Sequence, residues 1–260
     1  MVIATLISSF GTAQVASYSF SQSSGSYTPI TGGTVLGAPN NDDTNFPSNP
    51  IGFTFWFNGT AYTTFSVNSN GFLALGNTVA SSYTAISSGT SNNIISALNF
   101  DLQGDATTGE LSYTVQGTAP NRTLVVQWKD YDAFSSTTNT DVYNFQIRLN
   151  ETSNIVQVVY GSFTVNSSIR TAQVGLRGNL NTDFNNRAVA NGINTWSTST
   201  AGITNADVCE LNNLPLFPGS GLTYTWTPPA PPVAPTSISF TAVSTTGMTV
   251  NWLDNSTDES

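Results

Sequence analysis

Histidine is absent from the chain, lysine occurs once, as Lys129, and cysteine once, as Cys209. Each scarcity removes a class of chemistry. Without histidine, a Ser or Cys triad loses its usual general base and a transition metal its commonest ligand. One cysteine permits no intrachain disulfide, so the fold rests on burial and strand hydrogen bonds, and Cys209 reads as a buried, inert thiol. The acidic residues outnumber the basic ones by 15 to 6, a formal charge of −9. Such a field repels phosphate backbones and anionic lipid, so nucleic acid is not an expected partner. No run approaches the roughly 18 to 20 apolar residues of a membrane helix, and no membrane insertion is expected.

What the chain does have favours strands. Charged residues are only 8% and aromatics 11%, with Ser, Thr, Asn and Gly in the polar positions; that mix suits strands and turns better than helices. Apolar residues alternate at Ile51, Phe53, Phe55 and Phe57, and again at Tyr143, Phe145, Ile147 and Leu149. The same period of two recurs through Leu111, Leu124, Ala172 and Leu222, each starting a short run, while no 3.6-residue pattern appears. Asn70-Gly71 between Val67 and Phe72 reads as a two-residue hairpin connection. Many short strands with tight turns predict an all-β fold, a jelly-roll-like antiparallel β-sandwich, with a closed barrel as the fallback.

The chain divides by composition. Residues 1–14 read as the remnant of an export signal, an apolar stretch ending in Thr12-Ala13-Gln14. Residues 15–227 form the main domain. A stiff, proline-rich spacer follows at 228–235, and residues 236–260 carry two further strands.

Two resemblances attach to these segments. Ser66-Val67-Asn68-Ser69-Asn70-Gly71-Phe72, the block Ile94 to Asp101, and Ala119-Pro120-Asn121-Arg122 leading to Leu124–Trp128 resemble the nidogen-like extracellular module. The family's tryptophan-rich acidic run is Leu98-Asn99-Phe100-Asp101-Leu102 here. Residues 236–260, with Pro235 before a first strand and Trp252 in a second, resemble the opening of a fibronectin type III domain: its first two strands. Together they look like large secreted surface proteins of Bacteroidetes-type bacteria, which implies a secreted or cell-surface location and further domains in the same chain.

Candidate site residues lie in the loops and on the strands' second faces. Asp101, Asp105, Asp130 and Asp132 offer oxygen ligands for calcium, and Asn40-Asn41-Asp42-Asp43 offers another cluster, although turn-capping carboxylates are the commoner reading. Asp101 with Asp130 or Asp132 is the carboxylate pair a glycosidase would need. Trp56 points opposite the apolar face of its strand, Trp196 lies in a polar loop, and Tyr131 sits in an Asp-Tyr-Asp string; these three are the expected ligand contacts. The expected function is a non-catalytic module that binds an extracellular glycan or protein surface, with no cofactor beyond calcium. The alternatives are an accessory domain of a secreted hydrolase, glycosidase or peptidase, and a calcium-stabilised lectin-like domain.

Overall fold

The computed structural model describes residues 14–76, 79–135, 140–166, 169–230, 236–253 and 255. The export-signal stretch up to Ala13 and positions 231–235 of the proline-rich spacer lie outside them. Two compact units divide the chain, one of them Gln14–Pro228. Its strands are β1 (Ser19–Ser24), β2 (Thr34–Gly37), β3 (Asn45–Phe57), β4 (Thr60–Asn68), β5 (Phe72–Leu75), β6 (Ile94–Asn99), β7 (Leu102–Gly104) and β8 (Glu110–Thr118). Then follow β9 (Asn121–Ala133), β10 (Val142–Asn150), β11 (Val156–Thr164), β12 (Arg170–Arg177), β13 (Phe184–Ala188), β14 (Thr200–Ala201), β15 (Cys209–Leu211) and β16 (Leu222–Thr227). The other unit contains the hairpin of β17 (Thr236–Thr241) and β18 (Thr249–Leu253).

The first unit is an antiparallel sandwich. One sheet runs β1-β16-β11-β10-β9-β8-β2 with β7 alongside β9; the other runs β14-β13-β12-β6-β5-β4-β3 with β15 alongside β12. Strands β3 to β6 and β8 to β11 are meanders, neighbours in sequence and in space, as short turns favour. The alternation read in the sequence supplies the inner faces. Ile51, Phe53, Phe55 and Phe57 from one sheet meet Leu124, Val126, Trp128, Phe145 and Ile147 from the other in one core. Full burial of each such side chain contributes about 1.5–3 kcal/mol, which makes this core the main source of stability. Trp128 stacks on Phe145 at 5.0 Å, and the Tyr160 hydroxyl donates across the layers to the Ala97 carbonyl at 3.0 Å.

Several strands are buried on both faces because loops cover the outsides. Over the first sheet, the Ile30 N–H donates to Gln127 Oε1 at 2.8 Å and Gln146 Nε2 donates to the Thr28 carbonyl at 2.9 Å. Over the second, Ala85 and Ile86 pack with Phe72, Ala74 and Ile94 into a small core of their own. Gln173 Oε1 accepts the Ile86 N–H there at 2.8 Å, so a buried amide in a strand anchors the covering loop.

Cys209, at the start of β15, is fully buried with its thiol against the Arg187 carbonyl, and burial pushes its pKa up. A thiol held neutral and out of water is unreactive. Native protein is therefore expected not to react with Ellman's reagent, while protein unfolded in urea releases one equivalent; rapid native labelling would show that this end of the sandwich opens.

Candidate functional site

The turn between β4 and β5 has three residues, Ser69-Asn70-Gly71, because Asn68 pairs with Phe72. It is longer by one than the sequence suggested, and Gly71 occupies the left-handed region at φ 79°, as a three-residue hairpin loop requires. All of it is buried. The Asn70 backbone N–H donates to Asn68 Oδ1, Asn70 Oδ1 accepts the Leu102 N–H, and the Asn70 carbonyl accepts from Asn99 Nδ2, each at 2.8 Å. Asn70 Nδ2 donates to Asp43 Oδ1 at 2.8 Å, and the Trp128 indole donates to the Ser69 carbonyl at 3.0 Å. The motif is thus a hub, binding the Asp43 loop and the turn between Asn99 and Leu102 to the core through its polar groups.

Those loops bring carboxylates together. Asp42, Asp43 and Asp101 place one oxygen each within 4.8 Å of one another, and among the described residues they are the group that could share a cation. Desolvation and mutual repulsion raise the carboxyl pKa values of Asp42 and Asp101. Asp43 is surrounded by donors: besides Asn70, the Tyr83 hydroxyl reaches Oδ2 at 2.9 Å, which pushes the phenol up to about 12. A cluster so supplied with hydrogen bonds is accounted for as loop structure.

Of the four expected calcium ligands, the structure brings only Asp101 into this group. Asp105 caps a turn, its Oδ1 accepting the N–H groups of Thr107 and Thr108 at 2.8 Å each, which holds its pKa down at about 2. Asp130 lies at φ 50° with its carboxylate 3.9 Å from Lys129 Nζ. Asp132 is only 5% exposed, and its Oδ1 is buried with no donor.

The expected aromatic contacts divide the same way. Tyr131 is fully buried, because the register of β9 and β10 shifts between Trp128–Phe145 and Tyr131–Tyr143. Two residues, Lys129 and Asp130, bulge opposite Asn144 and turn Tyr131 into the core. Trp196, 1% exposed, opens a single 3-10 turn, Trp196–Thr198, and packs edge-on to Tyr160 at 5.2 Å with its indole donating to the Glu210 carbonyl at 2.9 Å. Neither can stack on a ligand. Trp56 differs: it is 53% exposed on β3, and its backbone N–H donates to Asn154 Oδ1 at 2.9 Å.

A protein-family model described as NIDO related matches residues 17–228. The chain belongs to the NIDO-related family. No curated protein and no solved structure matches it. The match covers β1 to β16 and nearly all of Gln14–Pro228, the hub included, and leaves the β17–β18 hairpin outside. NIDO-related domains are extracellular and are not a known catalytic family. Among the described residues no helix is long and apolar enough to cross a membrane.

One further feature of the NIDO-related module escaped sequence reasoning. A cleft of about 430 Å³ opens beside the β10–β11 turn, lined by Asn121, Arg122, Glu151, Gln157 and Thr225 among others. Arg122 and Glu151 meet as a bidentate pair, Nε to Oε2 at 2.7 Å and Nη2 to Oε1 at 2.5 Å. The only advance sign was Arg122 after the Ala119-Pro120 turn; its partner lies in the next hairpin, where spacing says nothing.

Proposed function

We propose that the NIDO-related module is a non-catalytic binding domain of a larger secreted or cell-surface protein, and that its ligand is a glycan. The observation that supports this reading is Trp56. A half-exposed indole on an edge strand, flanked by exposed Thr54 and Ala61, offers an apolar platform at no benefit to the core. Trp56→Ala is expected to leave the melting temperature within a few degrees and to abolish retardation of the protein in native gels cast with its polysaccharide. A loss of stability matching a core tryptophan would return Trp56 to a packing role, and binding of a protein but no glycan would make the surface an adhesive one.

In this reading the β17–β18 hairpin opens a fibronectin type III domain. Support comes from its apolar face: Ile238, Phe240, Val250 and Trp252 are all exposed, as strands of a sandwich would be without its remaining strands.

A further inference from the structure

The cleft beside the β10–β11 turn carries a specific arrangement of polar groups. Leu124, Leu149, Val156 and Trp226 point into the core, so their strand neighbours Thr123, Asn150, Gln157 and Thr225 face outward on four adjacent strands. Those four side chains form one line. Thr123 Oγ1 donates to Asn150 Oδ1 at 3.0 Å, Asn150 Nδ2 to Gln157 Oε1 at 3.3 Å, and Gln157 Nε2 to Thr225 Oγ1 at 3.4 Å. The second and third bonds are long; Asn150 Nδ2 also donates to the Ile155 carbonyl at 3.3 Å, so Asn150 keeps a lone pair and Gln157 a hydrogen and a lone pair to offer.

Charge is cancelled at the same place. Besides its two bonds to Glu151, Arg122 commits Nη1 to the Gly52 carbonyl at 2.8 Å, and Glu151 Oε2 also accepts the Arg122 backbone N–H at 3.0 Å. The two charges neutralise each other, and three of the five guanidinium N–H groups are committed within the protein, which leaves a weak site for a carboxylate or sulfate. A net charge of −9 further disfavours polyanions. The cleft's size falls within the roughly 300–1,000 Å³ of small-ligand sites. Ile155 adds an apolar wall.

We infer that this cleft binds a neutral saccharide chain laid across β9, β10, β11 and β16, its hydroxyls bonding the Thr123–Asn150–Gln157–Thr225 line. The inference rests on the glycan-binding reading of the module and names the class of glycan. Neutral hydroxyls exchange hydrogen bonds with amides without a charge to desolvate, whereas an ionic ligand would lose water and meet charges already paired with each other.

The test uses the full chain in affinity electrophoresis against neutral polysaccharides (β-glucan, xylan, galactomannan) and anionic ones (alginate, polygalacturonate), with Gln157→Ala, Thr225→Trp and Trp56→Ala compared after their melting curves show a folded sandwich. Retardation by a neutral polymer, weakened about tenfold or more by both cleft variants, supports the inference. Neutral binding lost in Trp56→Ala but unchanged in both cleft variants overturns it and leaves the glycan reading standing, as does preference for an anionic polymer. Failure to bind any polysaccharide overturns both.

Discussion

Gly71→Ala is expected to destabilise the sandwich by about 4 kcal/mol, combining the strain of a left-handed non-glycine residue with forced overpacking. A Cβ at Gly71 would stand 2.3 Å from the Leu98 carbonyl oxygen and 3.1 Å from Leu102 Cδ1, at φ 79°. The nearest obstacle is backbone, which cannot rotate away. For a domain of this size the loss corresponds to a fall in melting temperature of roughly ten degrees. Gly32→Ala is the control, since φ there is 70° but nothing lies within 4 Å. It should cost about 1 kcal/mol, the backbone strain alone. Urea denaturation of the two variants side by side isolates the contact with Leu98; equal losses would mean that the hub is not tightly closed.

Asp132→Asn is expected to do the opposite at neutral pH, stabilising the module by about 2 kcal/mol. Burial is the main cause that pushes the Asp132 carboxyl from 3.8 up to about 6, with Gln103 opposing as a donor and Asp105 and Asp141 repelling. Because the folded pKa lies above the unfolded one, the folded state holds the proton more tightly. Its contribution is therefore fully favourable below about pH 4 and is lost as pH rises through 6. The neutral asparagine carries no such penalty, so the variant's advantage should be full above pH 7 and vanish near pH 4. Unfolding curves across that range decide it, and a difference independent of pH would show that burial does not shift the Asp132 carboxyl.

These two positions mark how far the chain could be read in advance. Gly71 stood out because Asn-Gly between apolar runs is a local turn signal, and turn formation depends on a few neighbouring residues. That the turn would be buried, and would hold Asp43, Asn99 and Leu102, depends on contacts from distant parts of the chain. Asp132 was legible as a carboxylate at the end of a strand, with nothing to show that it would be buried beside Asp105 and Asp141.

The inner faces of β3, β9, β10, β12 and β16 were determined by the sequence alone, since a strand's alternation is geometric and a run of four apolar residues at period two has one face to bury. The all-β class followed from the same property. Tertiary structure decided the rest. A single extra residue in the bulge at Lys129–Asp130 reverses the parity of everything after it, so Tyr131 enters the core against the alternation begun at Leu124. Trp196 sits among polar neighbours, yet its indole is claimed by Glu210, Tyr160 and Tyr224. Asp42, Asp43 and Asp101 meet because the Ser69-Asn70-Gly71 hub draws their loops together. Strand faces arise from neighbours two residues apart; sites arise from side chains that only register, bulges and loop covers bring within reach.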